Sequence, residues 1–178
     1  NRDERQKQRD GHLRELTQWF INRRTTLGLA ESCTGGLLSS WISSQPGVSA
    51  FFRGAVVSYS GQVKASVLGV PHYAIDCYGE VSIPVAQFMA KGAAQVLDAD
   101  WALSITGIAG PSGGTKEKPV GTVCFALYGP AAAQGCAVPP GTRVVGRCMC
   151  WCSALRPWSL SSASVSSRSP DPLGTPRR

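Results

Sequence analysis

The apolar positions of this chain fall into short runs that alternate with helical stripes. Leu13, Leu16 and Phe20 recur at helical spacing behind a dense run of mixed charges, with Trp19 on the same face. This predicts a surface helix within residues 2–26. Leu27–Ala30 is a short apolar strand, followed by the polar turn Glu31-Ser32-Cys33-Thr34-Gly35-Gly36. Leu37, Leu38, Trp41 and Ile42 then carry a second helical pattern. Phe51–Ser58 is β-branched and aromatic enough for a strand. Gln62–Leu68 reads as a short helix that Gly69-Val70-Pro71 ends. Ser82 is placed to cap a helix that tolerates Pro84 in its first turn and shows a stripe of Val85, Phe88, Met89, Val96 and Leu97. Trp101–Thr106 and Thr122–Leu127 are predicted buried strands, and the glycine-rich segment Gly107–Thr115 between them is a loop. Strands alternating with helices predict an α/β sandwich.

After Gly129 the pattern stops. Seven of the 12 prolines fall there, and Ser159–Ser169 is nearly low complexity, so no helix or strand is predicted. The chain therefore divides into a domain at 1–129 and an Arg/Ser/Pro/Cys-rich tail at 130–178, expected to be disordered or aberrant. Its length of 178 residues and 43% hydrophobic content support one domain with a core rather than two. The net charge of +7 suggests nucleic acid until it is split: residues 1–129 carry +2 and the tail +5. Tail arginines without a helical stripe give salt-sensitive, non-specific contacts at most, so nucleic acid is the least favoured partner. No apolar run approaches the roughly 18 residues of a membrane span. The odd count of 7 cysteines without a secretory signal predicts reduced thiols in a cytoplasmic setting. The start at Asn1 rather than Met is compatible with a processed form or a fragment.

The candidate chemistry is sparse. With His12 and His72 the only histidines, a zinc enzyme or a Ser-His-Asp hydrolase is hard to assemble. Cys148-Met-Cys150-Trp-Cys152 lacks Cys-x-x-Cys spacing, so no metal is expected. Gly107–Thr115 lacks the Gly-Lys-Ser/Thr ending of a nucleotide P-loop, although its composition suits an anion nest, and no cofactor is implied. Ser32 sits in a tight turn between strand and helix, where a hydroxyl is exposed and amides at the helix start can face an oxyanion. From spacing alone, the plainer reading is that Ser32 or Thr34 caps the helix while Gly35 and Gly36 make the turn. A serine nucleophile needs a base, and a lysine serves when burial favours its neutral amine. Lys64, one helical turn beyond the strand-end Tyr59, is the candidate; read alone it is also an ordinary solvated lysine.

Taken together, AESCTGG (Ala30–Gly36), GAVVSYSGQVKASVLGVP (Gly54–Pro71), YGEVS (Tyr78–Ser82) and SITGIAGPSGGTKEKPVGTV (Ser104–Val123) resemble the CinA C-terminal domain family. The likeness runs from about Leu13 to Tyr128. The family contains nicotinamide-nucleotide amidases, which hydrolyse nicotinamide mononucleotide (NMN) to nicotinate mononucleotide and ammonia. The resemblance implies a three-layer α/β/α sandwich, a homodimer, a serine-based amidase site and no metal. Matched residue by residue, it implies Ser32 as nucleophile, Lys64 and Tyr59 as proton carriers, and Thr106 as support. Thr34, Gly35, Gly36, Gly107 and Gly110 would meet the substrate, with Ser49 in reserve.

Two departures qualify the match. Gly61-Gln62-Val63 stands where the family has Asn-Glu-Ala before the lysine. The family's further strand, Gly-Asp-Arg segment and closing helix have no clear counterpart in the tail, as after a frameshift or altered splice. An alternative is therefore a catalytically impaired member that keeps the fold and binds a ligand or partner.

Overall fold

Large and small residues alternate along the central strands, and that alternation decides how closely helices approach each side. The computed structural model describes residues 2–130, together with the strand at 145–149. The elements are α1 (Arg2–Arg23), β1 (Leu27–Glu31), α2 (Leu37–Ser43), a 3-10 turn (Val48–Ala50), β2 (Phe52–Val57), α3 (Gly61–Leu68), α4 (His72–Tyr78), α5 (Ile83–Val96), β3 (Trp101–Gly107), β4 (Thr122–Tyr128) and β5 (Val145–Met149). The strands form one five-stranded sheet in the order β2-β1-β3-β4-β5. β1 lies parallel to both β2 and β3, whereas β3–β4 and β4–β5 are antiparallel.

One face of the sheet carries bulk. Leu27 and Leu29 of β1 pack with Leu13 and Phe20 of α1, Ile42 of α2, and Phe51, and Trp101 and Leu103 join them. The other face carries little. Ala30, Ala102, Cys124 and Ala126 meet α5 through its own Ala86, Met89, Ala90 and Ala93. Small residues on both partners bring α5 close to the sheet, as dense packing requires. The Ser104 hydroxyl, wholly buried there, donates to the Ala86 carbonyl of α5. α3 and α4 share this side, with Leu68, Val70 and Ala74 in the same cluster. The α/β fold therefore has its sheet between α1 and α2 on one side and α3, α4 and α5 on the other.

The predicted elements hold, with five differences, one being that Val96 of the expected α5 stripe is exposed at the end of the helix. The buried stripe of α1 is Leu13-Thr17-Phe20, and Leu16 is exposed, because the charged helix turns a narrow face to the sheet. α4 escapes a reading by hydrophobic period, since it has only seven residues and Ala74 alone is buried. The 3-10 turn at Val48–Ala50 is likewise too short to show a period. No strand was expected beyond Gly129, yet β5 pairs antiparallel with β4 from Ala126↔Val145 to Thr122↔Met149. Its sequence, Val-Gly-Arg-Cys-Met, shows no alternation to announce it. The expectations for the rest of the tail, including the missing closing helix, fall outside the described residues. No helix among the described residues is long and apolar enough to cross a membrane.

Asp100 latches the start of β3 to the start of β1. Its Oδ2 accepts from the Thr26 amide at 2.9 Å and from the hydroxyls of Thr26 and Thr25 at 3.0 Å, while its own amide donates to Thr26 Oγ1 at 2.9 Å. The Thr26 amide is the largest influence holding this carboxyl below its ordinary value; burial, the next largest, opposes it, and the two hydroxyls and Arg53 add to the lowering. A depressed carboxyl stabilises the fold fully above its unfolded value of about 3.9 and loses that contribution as pH falls through the folded-state value. Asp100→Asn is thus expected to lower stability at pH 7 by about 1 kcal/mol, a figure kept small because the site is exposed. It should also flatten the acid limb of the stability curve. Urea melts of both proteins from pH 2.5 to 7 test this; parallel acid limbs would remove Asp100 as a latch.

Candidate active site

Three parallel strands end on the same edge of the sheet, the place where α/β folds gather functional groups. Ser32 follows β1, Ser58 and Tyr59 follow β2, and Thr106 sits at the end of β3. The turn after β1 requires glycine: Gly35 and Gly36 have φ of 60° and 99°, in the left-handed region that disfavours a side chain. Gly36 is the N-cap of α2 and offers no side chain to cap it. The cap comes from Glu31 instead. Its fully buried carboxylate accepts from the Leu38 amide at 3.0 Å and the Ser39 amide at 2.7 Å. An acid at a helix N-terminus is favoured both by the orphan amides and by the dipole. The expected oxyanion donors at the start of α2 are therefore already taken.

Lys64 lies in the first turns of α3, whose N-cap Ser60 accepts from the Val63 amide. Helical side chains lean toward the N-terminus, so Lys64 reaches back over the end of β2. It is not a solvated lysine: its side chain is 1% exposed. Nζ lies 3.0 Å from Ser32 Oγ, 2.9 Å from the Ser58 carbonyl, 3.1 Å from the Tyr59 carbonyl and 3.2 Å from Glu80 Oε2. Ser32 Oγ itself lies 3.5 Å from the Tyr59 carbonyl, at the limit of a hydrogen bond. Ser32 is buried, so nucleophile candidate and base candidate meet out of water.

A pocket of about 320 Å³ opens on this pair. It is lined by Ser32, Cys33, Tyr59, Lys64, Glu80, Val81 and Thr106, and by the glycine-rich loop through Gly107, Ile108, Ala109, Gly110, Ser112 and Gly113. Thr106 is buried, and its hydroxyl donates to the Glu80 carbonyl at 3.0 Å, which fixes the link between α4 and α5. Gly107 allows the loop to cross Cys33: a Cβ there would stand 2.9 Å from the Cys33 sulfur.

Of the residues expected at a site, Ser32, Tyr59, Lys64, Thr106, Gly107 and Gly110 come together around this pocket. Tyr59 does so in an unexpected way. The residue is 71% exposed, and the contacts with Lys64 and Ser32 are made by its main-chain carbonyl rather than its phenol. Thr34, Gly35 and Gly36 form the turn behind Ser32, and the buried Thr34 Oγ1 has no partner among the described residues. Ser49 is not brought to the pocket. It lies exposed in the 3-10 turn before β2, and the register Leu27↔Phe52 to Glu31↔Val57 puts it at the opposite end of the strands from Ser32. Neither histidine lines the pocket. Among the described residues no group of three or more His, Cys, Asp or Glu side chains is arranged to hold a metal ion.

Sequence reasoning missed Glu80, Glu31, Ser58 and Cys33. The residues just before Lys64 include no acid, but the fold supplies Glu80 from sixteen positions away. Only the chain's path could have revealed it. Glu31 did leave a signal, a lone acid ending an apolar strand six residues before a helix. Burial pushes the Cys33 thiol above its ordinary value; its own backbone amide and the Lys64 amine oppose that, and Glu31 reinforces it.

The CinA C-terminal domain family matches residues 10–143, further than the expected end at Tyr128. A putative competence-damage inducible protein of Symbiobacterium thermophilum is 52% identical over 123 residues, 69% of this chain and 29% of that protein. A CinA-like protein of Mycobacterium tuberculosis is 57% identical over 101 residues, 57% of this chain and 24% of the relative. The chain thus spans less than a third of the length of either. The crystal structure of the competence/damage inducible protein CihA from Agrobacterium tumefaciens superimposes with a TM-score of 0.71 at 32% identity, covering 79% of each chain.

The raised Cys33 thiol makes a direct check of the pocket. With iodoacetamide at pH 7.5 and peptide mass mapping, the exposed Cys77 should be alkylated first, and Cys33 at least about tenfold more slowly. Equal rates would mean that the thiol beside Ser32 is open to solvent.

Proposed function

The chain belongs to the CinA C-terminal domain family, and from that premise we propose that it is a serine amidohydrolase that converts NMN to nicotinate mononucleotide and ammonia. The observation that carries the reading is the buried Lys64 amine 3.0 Å from the Ser32 hydroxyl. That is hydrogen-bond reach between a nucleophile and a base.

In the reaction, neutral Lys64 takes the Ser32 proton as Oγ bonds to the carboxamide carbon, and the C=O π electrons move onto oxygen. Re-forming the carbonyl breaks the C–N bond. The nitrogen takes the proton from Lys64 and leaves as ammonia, with the acyl group esterified to Ser32. Water then adds with Lys64 as base, and collapse returns the proton to Ser32 Oγ and frees the acid. The Ser58 and Tyr59 carbonyls hold two Nζ hydrogens throughout, which directs the third position of the nitrogen at Ser32. Amides of the loop through Gly107 and Gly110 would face the oxyanion or the substrate phosphate. A homodimer of such domains in the cytoplasm, with no cofactor, completes the proposal.

A second reading, a module that binds a ligand without hydrolysing it, draws on Glu80, whose carboxylate pairs with the base. Turnover separates the two. Ammonia release from NMN should be measurable for the wild type and should fall at least about a thousandfold in Ser32→Ala and Lys64→Arg, because guanidinium does not deprotonate in this range. Tyr59→Phe should stay within about threefold, since the carbonyl and not the phenol serves Lys64. Binding of NMN by folded protein without turnover would favour the second reading, and a near-normal Lys64→Arg would end the Ser-Lys mechanism.

A further inference from the structure

The mechanism above uses Ser32 and Lys64 but leaves Glu80 without a task. Its position is specific. It stands in the link between α4 and α5, with its main chain held by the Thr106 hydroxyl and its carboxylate 3.2 Å from Lys64 Nζ. The side chain is 45% exposed, so it joins a buried amine to the open pocket. Gly61 makes room for it: a Cβ on Gly61 would lie 2.9 Å from Glu80 Oε1. Glu31, the other acid of this neighbourhood, is engaged by the amides of α2.

Around Nζ the Ser58 carbonyl, Ser32 Oγ and the Tyr59 carbonyl lie at 2.9, 3.0 and 3.1 Å, and the Glu80 carboxylate at 3.2 Å is the one charged partner among these, on the flank that faces the pocket. The substrate carboxamide is neutral, whereas the acid freed from Ser32 Oγ, within about 3–3.5 Å of it, passes its proton to the neutral Lys64 amine and becomes a carboxylate beside an ammonium. An ammonium with no counter-charge at that point would grip the product oxygens by a charge-assisted hydrogen bond and hold them.

We propose that Glu80 is the residue that lets the site tell amide from acid: by neutralising Lys64 from the pocket side, its carboxylate denies the acid product a cationic partner and so speeds its release. The inference rests on the amidase reading above. Glu80 makes no bond to the reacting atoms in this role. It competes with the product for Lys64 and repels the new negative charge.

The test is calorimetric titration of the full chain at pH 7.5, in the wild type, Glu80→Gln and Gly61→Ala. The probes are nicotinate mononucleotide and NMN, and nicotinate and nicotinamide. Glu80→Gln should bind both acids at least about tenfold more tightly, with both amides within about threefold. Gly61→Ala keeps the carboxylate but occupies its resting place, so it should move the acids in the same direction by less. In turnover, kcat of Glu80→Gln should fall and inhibition by nicotinate mononucleotide should strengthen, while KM for NMN stays near its wild-type value. Acid affinities that agree between wild type and Glu80→Gln overturn the proposal, whatever turnover shows. A gain for nicotinate in a protein that neither binds nor hydrolyses NMN would overturn the substrate reading and leave the role of Glu80 standing.

Discussion

An amine carried out of water must find its hydrogen-bond partners inside the protein, and Lys64 makes that demand at the edge of the sheet. β2 ends so that the carbonyls of Ser58 and Tyr59 turn toward it. α3 begins almost at once, so a residue of its early turns can lean back over those carbonyls. β1 stops in time for Ser32 to stand beside the nitrogen, and the link before α5 brings a carboxylate. Four separate stretches of chain are fixed by one nitrogen. The distance between nucleophile and base is in this sense a property of the sheet edge.

A second buried polar group, the Glu31 carboxylate, keeps Ser32 in place. Its carboxylate closes the N-terminus of α2, and its carbonyl accepts from both the amide and the hydroxyl of Ser58. The residue before Ser32 is thereby tied forward to a helix and sideways to the neighbouring strand. Preorganisation of this kind lets a serine act without moving first.

Much of this was legible from residues alone. Strand, turn and helix around Ser32, the Ser82 cap and the loop at Gly107 all follow from local chemistry, and local chemistry is what a linear pattern records. The Ser32–Lys64 pair became visible only when several weak segments were taken together as a family likeness. Three things stayed hidden for physical reasons. Glu80 meets Lys64 through the fold rather than through spacing. Tyr59 works through a carbonyl that every residue possesses, so its side chain misdirected the reading. β5 is a strand because β4 offers it a ladder, not because its own residues alternate.

The contact between α5 and α3 ties the pocket to a place well away from it. Gly92 presses against the main chain of Leu68, so closely that a methyl group would collide with the Leu68 carbonyl. α3 carries Lys64, and the segment that caps α5 carries Glu80. The spacing of these two helices is therefore set by the absence of a side chain, and it governs how the carboxylate addresses the amine. An enlargement at Gly92 would behave as a remote lesion, detuning a charge pair it never touches. At Gly92 nothing larger than hydrogen fits, while the bulky face beneath α1 can exchange one large side chain for another.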